Sequence, residues 1–121
     1  MKKIGFVTTN KVLAQSLASA VKSRPGLDFE LFLLLNPKQA ALDAEILNIE
    51  TAVVDMADTA LEESYETLRR AVPDCRLLLL VPQGDKDRRK AAVRAIKSKN
   101  ADDFVFCDTS LDYLFAKLAA I

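Results

Sequence analysis

Histidine and tryptophan are both absent from this chain of 121 residues. Without an imidazole, histidine-based acid–base catalysis and the usual histidine-rich zinc sites are excluded. Glycine occurs only three times, too rarely for a glycine-rich loop that brings backbone amides against a phosphate. The two cysteines, Cys75 and Cys107, form neither a CxxC redox pair nor a metal knuckle. No apolar run approaches the ~18 residues of a spanning helix, and Met1-Lys2-Lys3 leads straight into a strand-like run rather than a signal peptide. An excess of one charge is lacking too: 17 basic and 17 acidic residues give a formal net charge of +0. Such a balance exerts no general attraction on nucleic acid or membrane. Repeats, low-complexity tracts and Gly/Ser linkers are missing. The expectation is one cytoplasmic domain over 1–121, with no membrane or direct nucleic-acid partner.

What is present is alternation. Half of the residues are apolar and 28% are charged, the balance of a globular domain. Ile4–Thr8 reads as a buried strand, ended by Thr9-Asn10, either of which can cap a helix. Leu13, Leu17, Ala20 and Val21 recur at helical spacing until Pro25-Gly26. A strand over Phe29–Leu34 is followed by Asn36-Pro37, a cap with proline at the first helical position, opening a helix with Ala40, Ala41, Ala44 and Leu47. Thr51–Asp55 is the third strand, and Leu61–Ala71 the third helix, ended before Pro73. Arg76–Val81 is a continuous apolar run after its first residue, the signature of a strand buried on both faces. Pro82-Gln83-Gly84-Asp85 breaks it. Lys86–Ser98 is a basic amphipathic helix burying Ala92, Val93 and Ile96; Asp103–Cys107 is the fifth strand and Leu111–Ile121 the last helix.

Strict strand–helix alternation implies right-handed crossovers and a three-layer parallel α/β sandwich. For five strands the expected order is 2-1-3-4-5, a (βα)5 flavodoxin-like sheet with its switch point between strands one and three. Thr8, Thr9, Asp55, Pro82 and Cys107 then share the carboxyl end of the sheet, where ligands bind in such folds. Cys75 and Cys107 fall at opposite edges, roughly 15–20 Å apart by strand rise, too far for a disulfide.

Two stretches carry a resemblance. Val53-Val54-Asp55-Met56 resembles the acceptor strand of bacterial response-regulator receiver domains, the CheY-like family, although the proline that often follows is missing. Ala101-Asp102-Asp103-Phe104-Val105 resembles the Ala-Asp-Asp-Tyr-Val stretch preceding that family's lysine–proline pair. The resemblance covers essentially the whole chain and implies a two-component signalling module. It marks Asp55 as the position of the phosphoacceptor.

The residues around Asp55 depart from the family pattern. Transfer of a phosphoryl group to a carboxylate joins two anions, and Mg²⁺ must bridge them through oxygen ligands. Where the family places an acidic pair after the first strand, this chain has Thr8-Thr9. Where the family places a serine or threonine it has Pro82, lacking both hydroxyl and N–H, and where the family places lysine it has Cys107. A one-residue shift brings in Gln83 and Asp108 and restores nothing. The expectation is therefore an atypical receiver, independent of phosphorylation, not an enzyme, without cofactor or metal. A working phospho-receiver using Asp55 and Mg²⁺ is the alternative, with Asp58 or Asp85 as substitute ligands and Lys11 reaching the site.

Other features have competing readings. The Thr8–Asn10 turn would cradle a phosphate in a flavodoxin-like nucleotide or small-ligand binder, or simply cap the first helix. Cys107 reads as a small buried filler. The basic run Lys86–Lys90, with Arg94, Lys97 and Lys99, is a solvated face or a docking surface. In the resembling family the fourth helix, fifth strand and fifth helix form the dimerisation and partner face. Arg88, Arg89, Asp102, Asp103 and Lys117 are accordingly expected to form a self-complementary patch for a homodimer or protein partner. The last helix ends on Ala119-Ala120-Ile121, which suggests one domain of a longer regulator.

Overall fold

Apolar runs bounded by turn residues become strands here because helices cover both sheet faces. The computed structural model describes residues 1–57 and 64–120. Its elements alternate as β1 (Lys2–Val7), α1 (Lys11–Lys22), β2 (Phe29–Leu34), α2 (Ala40–Leu47), β3 (Thr51–Asp55), α3 (Ser64–Ala71), β4 (Arg76–Val81), α4 (Lys86–Lys97), β5 (Asp103–Phe106) and α5 (Leu111–Ala120). The sheet is parallel, in the order β2-β1-β3-β4-β5. It is the expected flavodoxin-like topology. No helix among the described residues is long and apolar enough to cross a membrane.

Each strand of the central three sends alternate side chains into two cores. On one side Val54, Leu77, Leu79 and Val81 meet Ala40 and Ala44 of α2, Leu68 of α3, and Ala92 and Ala95 of α4. On the other, Ile4, Phe6, Val53, Leu78 and Leu80 meet Ala14 and Leu17 of α1 and Leu114, Phe115 and Leu118 of α5. Gly5 fits the crowded β1–β2 crossing: a Cβ there would lie 3.1 Å from Leu34 and 3.3 Å from Ile49. Where glycine is scarce, Asn48 and Lys99 take positive φ, 57° and 65°, after α2 and α4. Asn48 thereby lets the Ile49 amide reach the Ala44 carbonyl at 3.0 Å, closing the helix as glycine ordinarily would.

Several boundaries differ from expectation. Strand β1 begins at Lys2 and stops before Thr8, and β5 stops before Cys107. Pro37 does not open α2. Asn36 accepts the Lys38 amide at 3.1 Å, and the Gln39 amide bonds to its carbonyl at 3.0 Å. That local turn consumes the proline, so the helix starts at Ala40 without a side-chain cap. Asn10 rather than Thr9 caps α1, accepting the Leu13 amide at 3.1 Å. In α4 the buried residues are Ala92 and Ala95, with Val93 and Ile96 only half-buried. The expected start of the third helix at Leu61 and the last residue, Ile121, lie outside the described residues.

Candidate functional site

The register brings the ends of β1 and β3 together, since Val7 pairs with Val54. Thr8 and Asp55 follow directly, and both are buried, at 0% and 2% exposure. The Thr8 hydroxyl donates to Asp55 Oδ2 at 2.8 Å and accepts the Asn10 amide at 3.0 Å. Asp55 Oδ1 accepts the Ala57 amide at 3.0 Å, an aspartate-closed turn. Each carboxylate oxygen thus has a donor from the chain itself, and neither donor is a cation.

The next two strand ends complete the rim. Pro82 follows β4. Cys107 follows β5 and donates its amide to the Val81 carbonyl at 2.8 Å. Cys107 is exposed and Cys75 buried, both as free thiols; the expectation of Cys107 as a buried filler fails because β5 ends one residue earlier, leaving it in the loop. Loss of hydration against the hollow it lines pushes its thiol up, and the negative charges of Asp55 and Asp108 add to this, to about 11. Gln83 and Asp108 meet side chain to side chain, the orientation that satisfies both having the Gln83 NH₂ donate to the carboxylate. Sequence reasoning weighed these two only as a misalignment and missed their contact.

Of the substitute ligands, Asp85 is spent as the N-cap of α4, accepting the Arg88 amide at 3.0 Å. Lys11 is exposed at the start of α1, and Asp58 lies outside the described residues. Among the described residues no three His, Cys, Asp or Glu side chains converge as a metal site. Thr9 is exposed on the rim. The Thr8 hydroxyl and the Asn10 side chain, which a bound phosphate would have to recruit, already serve Asp55 and α1. Below Cys107, between the sheet, α1 and α5, lies a hollow of about 80 Å³, and a concavity of about 540 Å³ lies at the opposite end of the sheet.

The charged residues of the other candidate face separate into three groups. Asp103 pairs with Lys117 at 2.7 Å, joining β5 to α5, and the hydrogen bond and charge of Asp103 hold the Lys117 ammonium above its ordinary value. Asp102 turns away from α4. Its carboxylate takes Arg69 of α3 at 2.7 Å, the Leu77 amide at 2.8 Å and Arg76 at 3.4 Å. Burial pushes this carboxyl up, but the Leu77 amide and the two guanidiniums outweigh it and hold it below the usual range. Arg69 also donates to the Pro73 and Cys75 carbonyls, each at 2.8 Å. Sequence reasoning missed Arg69, since nothing in its helical spacing signals a partner 33 residues away. Arg88 is half-buried, whereas Arg89, Lys90 and Arg94 stay exposed. With Val93 and Phe104 these three line a groove of about 300 Å³.

No family model matches the chain, and no curated protein resembles it significantly in sequence. Solved structures do resemble it. The Vibrio cholerae chemotaxis protein CheY4 matches at TM-score 0.80 and 13% identity, over 100% of this chain and 98% of its own. A response regulator from Thermotoga maritima matches at TM-score 0.78 and 19% identity, over 99% and 96%. A Burkholderia pseudomallei response regulator, described with a phosphorylated aspartic acid, calcium ion and citrate, matches at TM-score 0.76 and 20% identity, over 99% and 72%. This chain has the receiver fold. At these identities the likeness is one of architecture.

Proposed function

We propose that this chain is a receiver-fold signalling domain of the cytoplasm that acts by docking to protein and not through phosphorylation of Asp55. The observation that carries the reading is the sealed carboxylate. Asp55 is 2% exposed, and both its oxygens are held by internal donors. An incoming phosphoryl group would have to reach a buried carboxylate, each of whose oxygens already accepts one internal hydrogen bond. It would then meet Cys107 flanked by the negative charges of Asp55 and Asp108, where stabilising it calls for a cation. Pro82 offers it no donor.

Among the described residues, Mg²⁺ would be held by Asp55 itself together with neutral Thr8 and Thr9 oxygens, a poor donor set for a hard dication facing an anion. These residues do not fit the ion. Docking instead falls to the α4–β5–α5 side, where Arg89, Lys90 and Arg94 surround the apolar Val93 and Phe104. Clustered cations around an apolar floor combine steering with a desolvated anchor.

Titration with Mg²⁺ and beryllofluoride, a phosphoryl mimic, followed by amide NMR, tests the reading. The expected result is no saturable shift around Asp55. Localised shifts at Thr8, Asp55 and Cys107 that disappear in Asp55→Asn would overturn it.

A further inference from the structure

We infer that this chain associates head to tail with a second copy of itself, the exposed Leu42–Glu45–Ile46 face of α2 on one copy docking in the Arg89–Arg94 groove of the next. The inference rests on the reading of the α4–β5 side as a docking surface and names its occupant.

Helix α2, with the sequence AALDAEIL, buries Ala40 and Ala44 and still presents large aliphatic side chains to solvent. Leu42 is 49% exposed and Ile46 66% exposed. Four residues apart, they form one ridge, and the exposed Glu45 stands beside it. The groove on α4 and β5 has the opposite character. Its floor is Val93 and Phe104, its walls are Arg89, Lys90 and Arg94, and no described carboxylate lines it.

Of the three aspartates within two residues of the groove lining in sequence, Asp103 is engaged by Lys117 and Asp102 by Arg69 and Arg76, and Asp87, exposed on α4, does not line the groove. A two-fold arrangement of groove against groove would therefore set arginine against arginine, which is unfavourable. The α2 ridge supplies both things the groove lacks, an apolar anchor and an acid. Helices α2, α3 and α4 lie on one face of the sheet. In the strand order β2-β1-β3-β4-β5, α2 lies toward the β2 side and α4 toward the β5 side. The ridge and the groove are thus separate patches, and one molecule has both available at once. Such a contact is heterologous and propagates unless the rotation closes. A net charge of +0 leaves no long-range repulsion to oppose it.

Sedimentation velocity over a concentration series supplies the test, with Ile46→Lys disabling only the ridge and Arg94→Glu only the groove. The wild-type chain should grow past dimer with concentration, and each variant alone should remain monomeric. An equimolar mixture of the two variants should form a dimer and stop there, because one intact ridge meets one intact groove. That dimer would also show that both variants are folded. A wild-type chain that stays monomeric, variants that associate like wild type, or a mixture that stays monomeric would each overturn the inference. Any of these beside a flat beryllofluoride titration would leave the phosphorylation-independent reading standing.

Discussion

Two aspartates at opposite ends of the sheet are held in opposite ways. Asp55, at the carboxyl end, is buried with a hydroxyl and an amide as its donors. Asp102, at the amino end, is partly exposed and takes two guanidiniums and an amide. A phosphoryl-accepting end needs cationic charge near the carboxylate, and the described contacts of this chain put that charge at the other end. Asp102 works as a clamp: through Arg69 it ties α3, the turn before β4 and the start of β5. The comparison teaches that a carboxylate's place in the fold does not set its role; the charges brought to it do.

Breaking the clamp should produce the largest effect. Arg69→Ala removes donors to Asp102, Pro73 and Cys75 together and leaves a partly buried carboxylate short of its partner. A loss of about 2–3 kcal/mol in urea unfolding is expected. The pH dependence should report the same clamp. The folded Asp102 carboxyl lies below its ordinary value of 3.8, so its contribution is fully present above that value. It is lost as pH falls through the lower, folded value. Asp102→Asn should flatten this acid limb of the stability profile; an unchanged limb would show that other carboxylates carry it.

At the other end, the expected effects are smaller. Thr8→Val leaves one buried Asp55 oxygen without its donor and should cost about 1–2 kcal/mol. Asp55→Asn keeps an acceptor for the Ala57 amide and removes a buried charge that no cation offsets, so a change within about 1 kcal/mol, in either direction, is expected. Combined in a double-mutant cycle, the two should be non-additive, since the hydroxyl matters chiefly to the charged carboxylate. Additive losses would mean that Thr8 and Asp55 act separately.

Much of the architecture was legible because the signals were local. The run Leu77–Val81 and the alternation of strand-like and helix-like stretches foretold a covered parallel sheet, and the positions of Thr8, Asp55, Pro82 and Cys107 followed from strand ends. Their mutual contacts did not follow. The Thr8–Asp55 hydrogen bond depends on register between strands 47 residues apart. The engagement of Asp102 by Arg69 depends on where the end of α3 lies over β4. Both are products of tertiary packing, with no period or spacing to announce them. Pro37 misled for the reverse reason: a sound local helix-start signal lost to the turn that Asn36 closes just before it.

Cys107 offers the mildest probe of the same comparison, because it reads the field at the Asp55 end without disturbing the fold. It sits on the rim with Asp55, and its thiol is pushed up from 9.0 to about 11, first by desolvation and then by the charges of Asp55 and Asp108. A rise from 9.0 to about 11 reduces the thiolate present at pH 8 roughly 100-fold against an ordinary cysteine, and the thiolate is the species that is alkylated. Iodoacetamide labelling followed by mass spectrometry should therefore find this exposed cysteine slow compared with a cysteine in an unstructured peptide. Asp108→Asn should speed the reaction several-fold, and Asp55→Asn should do likewise, each by removing one of the negative charges. Labelling as fast as the free peptide, or insensitive to both substitutions, would mean that the rim is not the anionic environment on which the contrast between the two ends depends.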